Sequence, residues 1–521
     1  MCPLCDEKFG CRYWYLSEMC FILKISYLFD HPGTVFFAIF IVIWAVTFLE
    51  NWKRLNAKLA YHWDVLDYEE CQERPRPQYA ALCDKIRINP VTGLKEPFFS
   101  PYKRYSRLMT ALVLVIIFLI SVILYRVLIL MPLKRNPLFN SLAEICANLS
   151  AAMINLILIM SIGRVYETLA VKMTKWVFIF QFINYYSSIF YVAFFKGRFD
   201  GYPGKYNYFL GLRNESCGNG GCLIELAQQL IVIMIGKQIL NNIQEILIPK
   251  FLTWFHRYQH GLNKTSKKRF PSDHSDYNVP KIYHEDFKLI PYEGLFEEYL
   301  EMVLQFGFIT IFVAAFPLAP FFALLNNWIE IRLDAQKLVC KTRRPLAERA
   351  QKIGIWFRLL EFIVRLSIIS NAFLLAFTSE FLPTVLYYHE HDKDLEGYLN
   401  FTLAVSPEGS TSKECRYRDF RDRKGNFTMF YWKLLMLRLC FVILFEHLAF
   451  FFVNLLDFLI PDIPKSLDIR IKREQFLAKE ALQDNNLKSK LMELLREKSV
   501  DPIPPDERKT TDFFSSHEVN I

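Results

Sequence analysis

The sequence predicts an all-α polytopic membrane helix bundle, and three observations carry that prediction. The chain has 521 residues, 53% of them hydrophobic, with 48 Phe and 26 Tyr, and its mean hydropathy is +0.16. Apolar runs approach the ~20 residues that a membrane-crossing helix needs. Between them Lys and Arg cluster in a few segments. The chain is too apolar for an ordinary soluble domain and too often interrupted by charge for a bundle wholly embedded in lipid.

In order, the candidate spans are Thr34–Phe48, Leu108–Met131, Leu142–Ile162, Val177–Phe195, Cys222–Leu240, Tyr299–Phe316, Leu318–Ile331, Ile353–Phe377 and Phe430–Ile460. Roughly nine visible spans result, several long enough to tilt. Pro317 and Pro320 lie between two of them, read as a tight turn joining separate helices. The expected organisation is an extracellular Cys-rich loop over 1–33, a membrane bundle over 34–464, and a cytosolic C-terminal helix with a disordered tail over 465–521. The loops Glu50–Tyr105 and Lys250–Glu293 are expected in the cytosol, the loop Thr378–Asn426 outside, and Leu467–Lys498 as an amphipathic cytosolic helix.

The net charge of +9 raises the thought of nucleic acid. The basic residues instead fall in Lys53–Lys58, Arg74–Arg107, Lys250–Arg269 and Lys337–Arg349, the loops expected inside, which is the positive-inside pattern. No nucleic-acid recognition module is visible, so no nucleic-acid partner is expected.

If Thr34–Phe48 runs from outside to inside, the sequons at Asn214, Asn400 and Asn426 face outward, as glycosylation acceptors must, and Asn263 faces inward. Cys2, Cys5, Cys11, Cys20, Cys217, Cys222 and Cys415 then share the oxidising side. Cys217 and Cys222 are expected to bridge across the Gly-rich turn 218–221; Cys2 and Cys5 read as disulfide-forming cysteines rather than as half a zinc site, with their partners left open. Seven outer cysteines leave one without a partner, which fits a chain lacking an upstream part. Cys71, Cys83, Cys146, Cys340 and Cys440 are expected as free thiols.

The chemistry is carried by acids in or at the ends of apolar runs. Asn241 and Glu245 are four apart; Glu298 and Glu301 are three apart; Asn326, Glu330 and Asp334 advance in steps of four. Each set shares one helix face. An ionised side chain in a bilayer costs at least a few kcal/mol, so such residues mark an ion site or pathway. Five carboxylates would repel one another unless cations lay among them. Two Ca²⁺, each taking roughly 6–8 oxygens, suit the set; the competing reading is separate helix-end charges paired with water, Lys or Arg.

Gly236 interrupts the first of these helices and Pro249 follows Glu245 by one turn, so both are candidate gating hinges, with ordinary kinks as the alternative. Lys237, within the span, reads as a pathway cation or as a snorkelling side chain. Glu50, Asp457 and Asp462 form a second acidic group, either a lesser cation site or solvated helix ends. The run His389-Glu-His-Asp392 reads as a solvated loop. No phosphate loop, nucleophile elbow or zinc-protease helix is present, so no enzyme is expected.

Several segments resemble the anoctamin family of Ca²⁺-activated chloride channels and phospholipid scramblases. They include Met1-Cys-Pro-Leu-Cys-Asp6, Gly197-Arg-Phe199, Gly201-Tyr-Pro-Gly204, Gly236-Lys-Gln238, Glu298-Tyr-Leu-Glu-Met302, Phe316-Pro-Leu-Ala-Pro320, Ala323–Asp334 and Ile460-Pro-Asp-Ile-Pro464. The likeness runs from Met1 to about Ala481. It implies a homodimer with ten spans per subunit and a two-Ca²⁺ site formed by Asn241, Glu245, Glu298, Glu301, Asn326, Glu330 and Asp334. It also implies an additional Ca²⁺ site at Glu50, Asp457 and Asp462. Two departures stand out. The chain starts where the family's first outer loop would be, and the connection from Lys172 to Phe180 is shorter than the family's.

The expectation is therefore a Ca²⁺-dependent phospholipid scramblase that moves lipids passively between leaflets. A Ca²⁺-activated anion channel is the alternative, and an inactive or adhesive surface protein the third. The plasma membrane is the expected location, with the endoplasmic reticulum as the alternative.

Overall fold

The computed structural model describes residues 1–3, 13–66, 177–209, 212–214, 216–218, 220–263, 294–345, 349–391, 393–410 and 413–498, with scattered positions between 68 and 161 and at 289, 292 and 347. The chain divides into two compact units, Met1–Ile460 and Pro461–Ile521. The first holds helices α1 (Cys20–Phe29), α2 (Pro32–His62), α3 (Val177–Phe190), α4 (Cys222–Asn263), α5 (Phe296–Ile311), α6 (Ala319–Gln336), α7 (Ile355–Phe373), α8 (Phe381–Glu390) and α9 (Met429–Leu459). The second is built on α10 (Lys465–Lys498), where Asp468 and Lys472 pair one turn apart at 2.7 Å.

Four helices among the described residues are long and apolar enough to cross a membrane: Leu23–His62, Cys222–Asn241, Ile355–Thr378 and Met429–Leu459. The expected span Leu108–Met131 lies almost wholly outside the described residues. Of Leu142–Ile162 only parts of a short apolar helix at Ala152–Ser161 are described.

The start of α2 follows from local chemistry. Pro32 takes the first helical position, where its missing N–H costs nothing, and His31 Nδ1 accepts the Gly33 N–H at 3.0 Å. Small residues then line its inner face, with Ala38 and Ala45 at 0% exposure, while Phe36 and Phe40 on the opposite face are 74% and 58% exposed. Such outward aromatics suit lipid rather than water.

The centre of the bundle is α5. Tyr186 of α3, itself 1% exposed, donates its hydroxyl to Leu304 O at 2.6 Å. Gly307 makes room for that hydroxyl; a Cβ there would collide with it. At the end of α5 the helix stops at Ile311 although the apolar run continues to Phe316. Helix ends leave backbone groups unpaired, and in a membrane these must be met by protein. Asn371 of α7 meets them: its amide donates to Thr310 O at 2.7 Å and to Ser367 O at 2.8 Å, and its Oδ1 accepts Ala314 N–H. The turn then leads into α6, so the segment around Pro317 and Pro320 joins two helices.

Ring stacking fixes direction. Trp356, near the start of α7, stacks on Tyr299, near the start of α5, at 5.4 Å. With Asn371 joining their far ends, α5 and α7 run parallel. The same end holds Glu361 and Asp457 near Lys53. The opposite end is closed by π-helical turns, Tyr191–Phe195 after α3 and Leu374–Thr378 after α7, joined where Thr378 Oγ1 donates to Ala193 O at 3.0 Å.

That end also carries the disulfides. Cys217 is bonded to Cys222, and Cys2 to Cys415 across 413 residues. Cys20, Cys83, Cys340 and Cys440 are free; Cys5, Cys11, Cys71 and Cys146 lie outside the described residues. The stretch expected as the loop Thr378–Asn426 contains α8 and a hairpin pairing Leu403–Val405 with Arg416–Arg418, so it is more ordered than a plain loop.

Replacing Gly307 with Ala is expected to destabilise the protein by about 1–3 kcal/mol through overpacking. Adding Tyr186→Phe, which removes the obstructing hydroxyl, should recover part of that loss. Melting midpoints of the detergent-solubilised protein check this, and an unchanged midpoint for Gly307→Ala alone would remove the packing argument.

Candidate metal centre

The site is assembled from the first turns of α5 and the last turns of α6, facing the middle of α4. Helical spacing brings Glu298 and Glu301 to one face of α5, and Asn326, Glu330 and Asp334 to one face of α6. One carboxylate oxygen each from Glu298, Glu330 and Asp334 lies within 4.8 Å of the others. Glu330 is 3% exposed and Asn326 8%.

Polar partners orient this set. Glu301 Oε1 accepts Asn241 Nδ2 at 3.0 Å, and the Lys237 ammonium stands 3.7 Å away. Glu330 Oε2 accepts Gln238 Nε2 at 2.8 Å. Gln305 Oε1 takes the Asn326 amide nitrogen at 2.8 Å, while Gln305 Nε2 donates to Asn327 Oδ1 at 2.6 Å. Asn326 Oδ1 is thereby left buried with no hydrogen-bond partner among the described residues. Glu298 Oε1 is held by the Lys337 ammonium at 2.6 Å. Lys337 opens a π-helical turn, Lys337–Lys341, directly after α6.

Two ammonium groups therefore bracket the carboxylates, one from α4 and one from the end of α6. Acids this close, at least one of them deeply buried, require positive charge between or beside them; at ~5 Å each like-charged pair repels by roughly 3 kcal/mol at an effective dielectric of about 20. The donors are all oxygens, and one of them is an orphaned amide oxygen. That chemistry fits a hard cation such as Ca²⁺. Glu298, Glu301, Asn326, Glu330 and Asp334, with Asn241, would hold it. Glu245 is helical in α4, but its side chain lies outside the described residues.

Beside the acids is a cavity of about 180 Å³, lined by Lys237, Gln238, Glu301, Gln305 and Asn326 together with apolar side chains including Phe308. Lys237 also lies 4.9 Å from the centre of the Tyr185 ring. The sequence reasoning missed Gln238, Gln305 and Lys337. Their spacing was available: Gln305 follows Glu301 by four, Gln238 precedes Asn241 by three, and Lys337 follows Asp334 by three.

The other named residues are placed as follows. Helix α4 runs through Gly236 and Pro249 without interruption, and a Cβ at Gly236 would press on Leu156 Cδ2 at 2.6 Å. Glu50 is 5% exposed; its Oε1 pairs with Lys53 at 2.8 Å, and its Oε2 has no hydrogen-bond partner among the described residues. Lys53 also reaches Asp457 at 3.4 Å and Glu361 at 4.0 Å. Asp462 belongs to the second unit. Asn400 and Asn426 are exposed, whereas the Asn214 amide nitrogen donates to Phe199 O at 2.6 Å.

Comparison with known proteins places this geometry in context. The family model described as "Anoctamin: Calcium-activated chloride channel" matches residues 9–176 and 177–474. The chain is 51% identical over 513 residues to Anoctamin-7 of Mus musculus, covering 93% of this chain and 58% of that protein. It is 49% identical over 515 residues to Anoctamin-7 of Homo sapiens, covering 94% and 54%. Anoctamin-4 of Mus musculus is 40% identical over 550 residues, covering 94% and 56%. The chain thus spans somewhat more than half the length of these relatives.

Glu298→Gln combined with Glu301→Gln is expected to weaken Ca²⁺ binding by about tenfold or more, since two anionic ligands are lost. Lys337→Gln should strengthen it, because the ion no longer displaces an ammonium from Glu298. Titration calorimetry on the purified protein reads both; equal affinities across the three proteins would reject these residues as ligands and competitor.

Proposed function

Because the chain belongs to the anoctamin family, we propose that it moves phospholipids passively between membrane leaflets under the control of Ca²⁺. The observation that carries this reading is where the cavity beside the acids opens. Among the described residues, its wall includes Ile239, Leu325 and Ile329, which are 53%, 40% and 48% exposed. A largely apolar recess carrying a few polar groups, edged by exposed apolar side chains, can take a headgroup at those groups while the tails stay in hydrocarbon. Bringing a polar headgroup through an apolar medium without partners costs several kcal/mol, and the recess supplies those partners.

Bound Ca²⁺ would supply the positive charge that lets the carboxylates of α5 and α6 stand together. The chain's own residues do the rest. Glu301 holds both Asn241 and Lys237 of α4, and Glu330 holds Gln238, so α4 is tied to the acidic face by three side chains within little more than one turn. Any change in how the acids are neutralised is felt by α4. Gly236 and Pro249 are the places where that helix would bend, and the bistable element is its lower half.

An anion channel is the second reading, and Lys237 favours it: its ammonium lines the cavity, where an anion would meet it. A homodimer in the plasma membrane, with the endoplasmic reticulum as the alternative location, completes the proposal. The apolar face of α9, where Met436, Ile443 and Phe451 are exposed, is available to a second copy.

Liposome reconstitution separates the readings. The expected result is exchange of fluorescent lipids between leaflets in Ca²⁺ and little in chelator. Chloride flux without lipid exchange would favour the channel. A folded protein that does neither would favour the adhesive surface protein.

A further inference from the structure

At the end of the bundle away from the acids, two arginines lie against one aromatic ring. The guanidinium carbon of Arg198 is 5.9 Å from the centre of the Phe377 ring, and that of Arg438 is 5.5 Å from it. Arg198 stands in the turn after the π-helical segment of α3 and donates to Phe377 O and, at 3.2 Å, to Thr378 Oγ1. Arg438 is in the third turn of α9, one of the helices apolar enough to cross the membrane. Its Nε is buried and has no hydrogen-bond partner among the described residues.

The charge of Glu380 acts on both guanidiniums and that of Asp200 on Arg198, but the direct contacts of the neighbouring acids lie elsewhere. Glu380 pairs with Arg418 and accepts the Tyr398 hydroxyl at 2.9 Å. Asp30 accepts Ser379 Oγ at 2.6 Å and Glu380 N–H at 2.8 Å. Glu390 is taken by Lys433 at 2.7 Å. Asp200 is hydrogen-bonded to Ser216. Burial first, then the nearby Arg438, pull the Arg198 guanidinium down to about 10, so Arg198 remains ionised at neutral pH with a like charge beside it.

A guanidinium with a buried, unpartnered Nε in a membrane helix is costly without an anion in direct contact, and a second guanidinium beside it adds to that cost. A guanidinium presents a planar fork of donors that matches phosphate oxygens two at a time. We propose that Arg198 and Arg438, backed by Phe377, form a binding site for a phosphate group at this end of the bundle, the phosphodiester of a lipid headgroup being the fitting source. The ring supplies an apolar floor and a cation–π contact to each guanidinium. The long arginine stem lets Arg438 reach from within the helix toward the headgroup level. This site is separate from the acidic cluster and does not depend on whether the protein moves lipid.

The test is native mass spectrometry of the full chain in detergent, titrated in one arm with dioleoylphosphatidylglycerol and in the other with inorganic phosphate. Wild type, Arg438→Gln and Arg198→Gln are compared, with melting midpoints to check folding. Lipid retention that falls about tenfold or more in each folded variant, the loss expected for a charge-assisted hydrogen bond, supports a lipid-phosphate site. The same arginine dependence for inorganic phosphate, with competition against the lipid, supports the site with a soluble phosphate as its source. Equal retention by wild type and variants in both arms overturns it. If Arg438→Gln fails to fold, Arg198→Gln alone decides, because Arg198 sits in a turn outside the spanning helices.

Discussion

Carboxylates from two different helices cannot rest within 4.8 Å of one another in a partly buried setting without compensating charge. Here the compensation comes from Lys337 on Glu298 and Lys237 on Glu301. These lysines are tethered, so they neutralise the acids without leaving the protein. A divalent ion brings twice the charge to the same oxygens and can be shared by several carboxylates. On the proposed reading, a free cation would compete with these tethered ammonium groups, and α4, α5 and α6 meet around the acids where that competition would take place.

The rest of the bundle holds α5 still enough for that competition to matter. Its backbone is gripped by Tyr186 from α3 and Asn371 from α7, and its first turn is stacked through Tyr299 on Trp356. Both backbone contacts are made in an apolar interior, where an unmet carbonyl or N–H is expensive. With α5 fixed on two sides and α6 following it through a short turn, α4 is the partner left to respond, and it touches the acids only through side chains.

Much of the acidic site was legible in the sequence because helical spacing alone assigns residues to a face: Glu298 with Glu301, and Asn326 with Glu330 and Asp334. The partners were less legible for a physical reason. Lys337, Gln238 and Gln305 are ordinary polar residues whose meaning depends on which helix lies opposite. The break after Ile311 was invisible to hydropathy, since Phe312–Phe316 is as apolar as the helix before it; Asn371, some sixty residues later, makes the break tolerable. The Cys217–Cys222 link is local and readable from its turn, whereas Cys2–Cys415 joins residues 413 apart and needs the fold. Arg438 lies in a long apolar run, and the role proposed for it depends on neighbours brought together only by the fold.

Cryo-electron microscopy of the purified protein in Ca²⁺ and in chelator tests the central claim most directly. The account predicts density between Glu298, Glu330 and Asp334 in Ca²⁺ alone, with the Lys337 ammonium moved off Glu298. Maps in Ca²⁺ that show no such density, with Lys337 still seated on Glu298, would contradict it.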